Sequence, residues 1–350
     1  MMQAMALKAF GGADNLRWSE WPLPDPKAGE VRIRVHAISV NPVDVKMRLG
    51  RIPVELPVVL GRDVAGTIDA LGEGVTRFEV GDSVFAVLFG QRSNGAYAQY
   101  VSTPAAFVRL KPSGVSDAQA AALGVAGLTA YESVMRKAHV RAGEAVLVAG
   151  GAGGVGSFAI PLLRHVGASP ILVTTGNDQS AAYLRQTMKI PDDDLVHYRG
   201  RSLDELESAV RARTDHRGAT VTFDFVGGEM KKLCFRAIDF DGRVVSIVEE
   251  SPGFELDIWR LDRSPLLARS GTFQFVALSA RARAGSARDW EVYQETMADL
   301  TTLISTRRIP PPSVTELGEL SEPTIQEAHR MLETGHVTGK LVLTVAGQHR

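Results

Sequence analysis

A glycine-rich segment that follows a short apolar run limits more strongly than any other feature how this chain can fold. Residues 146–157 read V-L-V-A-G-G-A-G-G-V-G-S, in which Gly151, Gly153 and Gly156 have the spacing G-x-G-x-x-G. At a turn from a strand into a helix, this spacing permits a tight turn, a close approach of the backbone to a pyrophosphate, and close packing of the helix on the strand. The segment predicts a dinucleotide site, and the alternative is a glycine-rich turn that serves packing alone.

Apolar strand-like runs alternate with helix-length segments between about residues 126 and 272. The runs lie at 145–149, 171–174, 220–225 and 243–248. Because parallel strands need long, usually helical connections, this alternation predicts a doubly wound parallel sheet with helices on both faces, as in Rossmann domains.

The two flanking regions have a different pattern. Residues 1–125 contain short alternating apolar runs between closely spaced glycines and prolines, which predicts a small antiparallel, barrel-like β domain. Residues 273–350 return to mixed short elements, with a helix over 324–334 that Ser321 can cap and a last strand at 340–345. The predicted fold class is α/β.

Charge and cysteine content narrow the possible partners. The 350 residues carry a formal net charge of −1, which argues against nucleic acid or an anionic membrane as the main partner. The first residues lack the features of a signal peptide, and no apolar run is long enough to span a bilayer. Cys234 is the only cysteine, so no intrachain disulfide can form and a reducing compartment is expected. These features predict a soluble, cytoplasmic protein.

Motifs along nearly the whole chain resemble the medium-chain dehydrogenase/reductase superfamily, in its zinc-free quinone oxidoreductase branch. These motifs are N-P-V-D-V-K at 41–46, L-G-R-D-V-A-G at 60–66, V-G-D-S-V at 80–84, G-A-Y-A-Q-Y-V at 95–101, L-T-A-Y at 128–131, the glycine segment, F-D-F-V-G-G at 223–228 and T-G-K-L-V-L at 338–343. The resemblance implies a GroES-like catalytic domain from residues 1–125 and 273–350, and a Rossmann domain for NADPH from residues 126–272.

The positions of the family's zinc ligands carry other residues here. Zinc-dependent relatives have a cysteine where this sequence has Asn41, and Gly-His-Glu where it has Gly61-Arg62-Asp63. Neither asparagine nor arginine supplies the thiolate or imidazole that zinc prefers, so no metal is predicted.

Without a metal, hydrogen-bond donors or solvent must stabilise the oxyanion that forms on hydride delivery. In related zinc-free enzymes the residue at the position of Asn41 lies beside the nicotinamide ribose, so Asn41 is a candidate for binding the cofactor or the substrate carbonyl. Lys46 and Arg51 are the nearest cationic donors. The alternatives are an Asn-Pro turn at Asn41 and solvated loop cations at the other two positions.

The end of the second strand of the Rossmann pattern favours NADPH over NADH. NAD-binding units place a carboxylate there on the ribose hydroxyls, but this strand ends in Thr174 and Thr175. Their hydroxyls can bind the 2′-phosphate, which a carboxylate would repel, and Tyr198 and Arg199 are expected at the same corner. The alternative for Tyr198 and Arg199 is an ordinary surface pair.

The resemblance implies further cofactor contacts in the glycine segment, at strand ends and near the chain end. They are Gly151, Ala152, Gly153, Gly154, Val155, Gly156, Thr129, Val226, Gly227, Ile247, Val248, Phe275, Val276 and Lys340. For the apolar positions, burial in a sheet core explains the residue type equally well.

The expected function is an NADPH-dependent reductase of a quinone or an α,β-unsaturated ketone or aldehyde. The alternatives are an enoyl-thioester reductase and, in another class, an NADPH-binding scaffold or structural protein with little turnover. Relatives commonly form homodimers, and the segment at 271–278, apolar on much of both faces, is expected to pair with its symmetry mate as an edge strand. The alternative is a loop of the same chain that covers this edge.

Overall fold

The alternation of strands and helices expected between residues 126 and 272 is present in the computed structural model, which describes residues 1–89, 94–284, 286–335 and 337–346. The strands are β1 (Met2–Leu7), β2 (Leu16–Trp21), β3 (Glu30–Ser39), β4 (Val58–Val59), β5 (Asp63–Leu71), β6 (Ser83–Val87), β7 (Tyr100–Pro104), β8 (Val108–Leu110), β9 (Val146–Ala149), β10 (Ile171–Thr175), β11 (Leu195–His197), β12 (Ala219–Asp224), β13 (Ile238–Ser246), β14 (Thr272–Phe275), β15 (Val314–Glu319) and β16 (Lys340–Thr344). The helices are α1 (Pro42–Arg48), α2 (Asp117–Ala121), α3 (Leu128–Tyr131), α4 (Gly154–His165), α5 (Asp178–Gln186), α6 (Leu203–Ala212), α7 (Glu229–Arg236), α8 (Pro265–Ala268), α9 (Ala280–Ala284), α10 (Ala287–Ser305) and α11 (Glu322–Thr334).

The chain divides into two units. The first comprises Met1–Leu128 and Leu278–Arg350, and the second comprises Thr129–Ala277. The sequence placed the domain boundaries a few residues earlier, at 125/126 and 272/273. The assignment of the units as catalytic and NADPH-binding domains stays a prediction.

The first unit is built around a β-sheet in the order β15-β16-β3-β5-β6-β8, with β7 also paired to β3. A smaller sheet has the order β2-β1-β4. The alternation in β3 buries Val31, Ile33 and Val35 at 0–2% exposure, so the face predicted from the sequence is the core face.

The second unit contains a six-stranded sheet in the order β11-β10-β9-β12-β13-β14. All of its pairs are parallel. The chain moves outward from β9 through β10 and β11 and then returns to β12 on the other side. Because the crossovers of parallel strands are right-handed, this order places helices on both faces of the sheet. The predicted α/β fold class, a β-rich part plus a doubly wound parallel sheet, is confirmed.

Local capping fixes the helix near the chain end. The hydroxyl of Ser321 accepts a hydrogen bond from the N–H of Thr324, and Gly335 ends the helix with a φ of +70°. Helix α11 therefore begins two residues before the predicted start at 324 and ends where the sequence predicts.

The edge strand β14 is shorter than the predicted segment at 271–278. It comprises only Thr272–Phe275 and pairs with β13. Phe273 and Phe275 lie on one face, with ring centroids 4.5 Å apart, and Phe273 also packs on Phe235.

Candidate active site

The glycine-rich turn lies between β9 and α4, at the carboxyl end of the parallel sheet. Gly150 has a φ of +85°, and helix α4 begins at Gly154. A Cβ on Gly151 would lie 2.3 Å from Cγ1 of Val173, and one on Gly156 would lie 2.3 Å from the carbonyl oxygen of Gly150. Side chains are therefore excluded at Gly151 and Gly156 by the packing of strand, turn and helix.

Gly153 is different. A Cβ here would meet no atom closer than 3.4 Å, and the backbone (φ −78°, ψ 179°) is one that any residue adopts. Nothing within this unit requires glycine at position 153, although packing requires it at the neighbouring positions. Two physical reasons for a glycine here are its suitability as the N-cap of α4 and a close approach of another molecule to the backbone.

The hydroxyl groups of Thr174 and Thr175 have partners within the protein. Both residues are at most 3% exposed. Thr174 Oγ1 accepts from the N–H of Gly150 at 3.3 Å, and Thr175 Oγ1 lies 2.5 Å from Ser180 Oγ. Thr174 therefore holds the glycine-rich turn on β10, and binding of a 2′-phosphate by either hydroxyl stays a prediction.

Tyr198 lies against the end of β10. Its N–H donates to the carbonyl of Thr175 at 3.0 Å, and a Cβ on Gly176 would lie 2.2 Å from the phenol oxygen. The phenol is 38% exposed, and Arg199 beside it is also exposed. The sequence predicted Tyr198 and Arg199 at this corner but not the glycine that makes room for the phenol.

Asp224, a residue not among the predicted contacts, joins the turn after β12 to the end of β13. Its Oδ1 accepts from the N–H groups of Val226 at 3.1 Å and Gly227 at 2.7 Å. Its Oδ2 accepts from Ser246 Oγ at 2.7 Å. A buried polar residue at the last position of an apolar strand is the signal that would have identified it.

The apolar contact candidates lie at strand ends or just beyond them. Val226 and Phe275 are 51% and 57% exposed, which is unusual for large apolar side chains. Ile247 and Val248 follow the last residue of β13 and are half-buried, whereas Val276 is 8% exposed. Thr129 is also among the candidates, and it is 6% exposed.

A buried hydrogen-bond network surrounds Asn41 in the first unit. Lys340 Nζ donates to Asn41 Oδ1 at 2.5 Å and to the carbonyl of Val40 at 2.8 Å, and it lies 3.5 Å from Asp63 Oδ2. The same Asp63 oxygen accepts from Asn41 Nδ2 at 2.8 Å and from Ser39 Oγ at 2.6 Å. The Lys340 side chain is 4% exposed, and burial lowers its pKa.

These contacts show that the residues at the zinc positions do not suit a zinc ion. Asp63 Oδ1 accepts from the N–H of Val125 at 2.7 Å, and a Cβ on Gly124 would lie 2.2 Å from this oxygen. Both carboxylate oxygens are therefore engaged, and a lysine ammonium already balances the charge. Arg62 supplies a cation where relatives have an imidazole. Within the described residues, no group of three or more His, Cys, Asp or Glu side chains is placed to hold a metal ion.

Lys46 and Arg51 lie at the end of α1 and just beyond it. Lys46 is half-buried and Arg51 is exposed, and the N–H of Arg51 donates to the carbonyl of Lys46 at 2.9 Å. Asp44 on the same helix is fully buried and accepts from the N–H of Asn41 at 2.9 Å. Burial raises the pKa of Asp44 to about 6. The sequence pattern N-P-V-D contains Asp44, but nothing in it indicates this burial.

Two protein-family models match the chain. Residues 27–113 match the alcohol dehydrogenase GroES-like domain, and residues 193–343 match the family model described as zinc-binding dehydrogenase. None of the helices in the described ranges is long and apolar enough to cross a membrane.

Similar curated proteins include a plant reductase and long bacterial synthases. The chain is 34% identical over 289 residues to 2-methylene-furan-3-one reductase of Solanum lycopersicum, with 73% of this chain and 74% of that protein covered. It is 32% identical over 324 residues to phthioceranic/hydroxyphthioceranic acid synthase of Mycobacterium tuberculosis, with 91% of this chain covered. The chain spans about 14% of the length of that synthase, which is among the first curated relatives it matches.

Two similar solved structures are mycobacterial. The protein Rv1454c complexed with NADPH is 28% identical with a TM-score of 0.84, over 98% of this chain and 100% of that chain. A mycobacterial quinone oxidoreductase is 28% identical with a TM-score of 0.80, again over 98% of this chain and 100% of that chain.

Proposed function

The chain belongs to the medium-chain dehydrogenase/reductase superfamily, in the branch of quinone oxidoreductases and enone reductases, and on that premise we propose that it is an NADPH-dependent reductase of quinones or of α,β-unsaturated ketones and aldehydes. The observation that carries the proposal is a buried network in which Lys340 contacts Asn41 and Asp63, two residues that stand where zinc-dependent relatives have their zinc motifs. Since these residues do not suit zinc, the hydride acceptor must be a compound on which the negative charge that develops during hydride transfer is stabilised without a metal ion. Conjugated carbonyls and quinones meet this condition because they delocalise that charge.

The second unit supplies the proposed cofactor site. Bound NADPH supplies the hydride, and the protein's part is to hold and orient it. Gly153 leaves its backbone open, and the first N–H groups of α4 favour a pyrophosphate. Val226 is an exposed apolar side chain that adjoins the glycine-rich turn, since a Cβ on Gly150 would lie 2.7 Å from its Cγ2. Tyr198 and Arg199 present a phenol and a guanidinium suited to the 2′-phosphate.

In the first unit, the orientation of Asn41 is set by its partners. Its amide oxygen accepts from Lys340, and one amide hydrogen goes to Asp63. The second amide hydrogen is the donor that we assign to the substrate carbonyl or the nicotinamide ribose. In this proposal Lys340 acts on the reaction through Asn41 rather than by contact with the cofactor.

An enoyl thioester is the second candidate acceptor. The 32% identity to an acid synthase over 91% of this chain favours it, because a segment that serves such a synthase would meet acyl thioesters. The contrasting proposal is an NADPH-binding protein with little turnover. We also propose that the chain acts in the cytoplasm as a homodimer.

The deciding experiment is a steady-state screen of NADPH oxidation with four acceptor classes, namely quinones, enones, enals and enoyl thioesters. We expect turnover with at least one of the first three classes, at a rate that metal chelators leave unchanged. Turnover with enoyl thioesters alone would support the second candidate. NADPH binding in a fluorescence titration without turnover on any class would support the scaffold and contradict a reductase.

A further inference from the structure

Lys231 on α7 buries its ammonium group at the carboxyl ends of β12 and β13. The side chain is 4% exposed, and Nζ donates to the carbonyl of Val248 at 2.7 Å. Nζ also lies 2.7 Å from Glu250 Oε1 and 3.7 Å from Asp224 Oδ2. Burial of an ammonium group is costly unless it is paired and hydrogen-bonded, and these contacts provide both.

The two carboxylates hold the backbone of the turn that follows β12. Asp224 accepts from the N–H groups of Val226 and Gly227, and Glu250 accepts from the N–H of Gly228 at 3.1 and 3.2 Å. Gly227 and Gly228 have φ values of +89° and +56°, and with a ψ of −131° Gly228 adopts a conformation that glycine reaches readily and other residues rarely adopt. Since two consecutive glycines have many other backbone conformations open to them, the bonds to the carboxylates select this one.

The turn presents Val226 to the glycine-rich turn between β9 and α4. Val226 is 51% exposed, and a Cβ on Gly150 would lie 2.7 Å from its Cγ2. A shift of the Val226–Gly228 backbone therefore moves an apolar surface that adjoins the proposed dinucleotide site.

The same ammonium group also contacts two aromatic rings. Nζ of Lys231 lies 5.7 Å from the ring centroid of Phe254 and 5.8 Å from that of Phe275, both within cation–π range. Phe275 is the last residue of the edge strand β14 and is 57% exposed. One buried charge thus joins the turn after β12, the segment after β13 and the end of β14.

We propose that Lys231 is a positioning residue for cofactor binding: by neutralising Asp224 and Glu250 it fixes the Val226–Gly228 turn in the conformation that NADPH requires. This inference rests on the proposed binding of NADPH and identifies a residue on which the affinity of the protein for NADPH depends. Lys231 does not contact the cofactor and acts only through the two carboxylates.

Removal of the ammonium leaves two carboxylates in a region of low dielectric constant. Asp224 retains three hydrogen-bond donors and is fully buried, whereas Glu250 is 20% exposed and, within the part of the chain that the structure describes, retains Gly228 as its hydrogen-bond donor. Glu250 is therefore the group that turns toward water, which releases the N–H of Gly228.

The test compares amide hydrogen exchange in the cofactor-free protein with NADPH affinity, for the wild type and for Lys231→Met. We expect exchange at Gly227 and Gly228 to become about tenfold faster, while exchange in β9 is unchanged. The Kd for NADPH in a fluorescence titration should rise about tenfold. Adding Glu250→Gln to Lys231→Met removes the more exposed of the two unpaired charges, while Asp224 keeps its three hydrogen-bond donors, so the double variant should recover most of both losses.

Lys232→Met is the matched control, because the neighbouring Lys232 pairs with Glu229 and its side chain is 34% exposed. It should leave exchange and affinity at wild-type values. Unchanged exchange at Gly227 and Gly228 in Lys231→Met, or equally faster exchange in β9, would overturn the inference.

If Lys231→Met does not fold, Glu250→Gln alone replaces it. This variant keeps one acceptor for Gly228, so a small local increase in exchange is expected, and no change there contradicts the inference. Hydrogen exchange is measured without cofactor, so it tests the effect of Lys231 on the turn whether or not NADPH binds. If the wild-type protein binds no NADPH, the proposed function is overturned.

Discussion

Lys340 and Asn41, 299 positions apart in sequence, are joined by a 2.5 Å hydrogen bond from the ammonium to the amide oxygen. The bond distinguishes the two ends of the amide, because the oxygen must face the lysine and the nitrogen must face Asp63. A lysine that sequence resemblance assigns to the cofactor is thus placed in the structure as a partner of Asn41.

Replacement of Lys340 by methionine should weaken both stability and activity. The variant removes the ammonium partner of the buried Asp63 carboxylate, and breaking a buried pair in this way costs about 3 kcal/mol. Chemical denaturation should show this loss, and kcat with a quinone or enone should fall while the Kd for NADPH changes little. Lys8→Met, at an exposed position, is the control. A Kd that rises with unchanged kcat would instead support direct contact with the cofactor.

Gly153 and Gly156 should respond differently to the same substitution. Gly153→Ala adds a Cβ with no neighbour closer than 3.4 Å, and the entropic gain from alanine opposes its poorer N-capping of α4, so the free energy of unfolding should change by less than about 1 kcal/mol. NADPH affinity should nevertheless fall about tenfold. Gly156→Ala places a Cβ 2.3 Å from a backbone oxygen and should destabilise the unit itself. Full NADPH affinity in Gly153→Ala would favour a glycine turn that serves packing alone.

The buried Asp44 should make the folded state less stable as pH rises. Burial raises the pKa of Asp44 from 3.8 to about 6, so the folded state holds this proton more tightly than the unfolded state does. Stability is therefore lost as pH rises from about 4 to 6, by about 3 kcal/mol in total. Asp44→Asn keeps an acceptor for the N–H of Asn41 and removes the titration. Urea unfolding at pH 4 and pH 7 should show the variant gaining stability over the wild type at the higher pH, and an equal difference at both values would contradict the shift.

The buried His329 should make the folded state less stable as pH falls, which is the opposite of the effect of Asp44. Burial lowers the pKa of His329 from 6.5 to about 3, so the imidazole stays neutral in the folded state while the unfolded state takes up a proton. Stability is therefore lost as pH falls below 6.5, and the loss amounts to about 2 kcal/mol at pH 5. His329→Gln should abolish this part of the pH dependence in urea unfolding, while an unchanged slope between pH 7 and pH 5 would show that other groups cause it.

The preference for NADPH should depend on the corner beside Gly176. We expect wild-type protein to bind NADPH at least about tenfold more tightly than NADH, or about 1.4 kcal/mol. Removal of the phenol hydroxyl in Tyr198→Phe, and of the charge in Arg199→Gln, should each reduce this ratio mainly by weakening NADPH. Paired titrations with the two cofactors check this, and equal affinities in the wild type would refute the preference.

Local patterns predicted much of the second unit, since each strand and the glycine-rich turn are encoded within about ten residues. The strands observed as β9, β10 and β12 agree with the apolar runs to within one residue at each end. The hydrogen-bond partners of side chains were harder to predict from the sequence. Thr174 and Thr175 look like free hydroxyls in the sequence, and only the fold brings Gly150 and Ser180 to them.

Ion pairs between distant segments could not be predicted from a single sequence. Asp63 was recognised only as a replaced zinc ligand, because its cation comes from Lys340 near the far end of the chain. A stretch of 27 residues contains Asp224, Lys231 and Glu250. Their side chains come into contact only because α7 and β13 have the lengths that they have. No periodicity encodes such lengths.

The edge strand β14 leads to the last prediction, a homodimer formed by pairing β14 with its symmetry mate. The N–H of Val276 donates to Ser246 on β13, and backbone direction alternates along a strand, so the N–H groups of Phe273 and Phe275 point away from the sheet. Unpaired edge groups beside an exposed phenylalanine favour association, and a two-fold dimer satisfies them.

Light scattering at micromolar concentration should give twice the 37.7 kDa mass of the chain. Thr272→Lys places a charge on this exposed edge without changing the bonds to β13. The variant should be monomeric, and the free energy of unfolding of its monomer should equal that of the wild-type monomer. Thr76→Lys, in an exposed loop of the other unit, is the matched control and should stay dimeric. Gln274→Pro would be a poorer test, because the N–H of Gln274 faces β13 and its loss damages the sheet itself. A wild-type protein that is monomeric would refute the predicted dimer. A dimer that persists in Thr272→Lys would show that the interface does not involve β14.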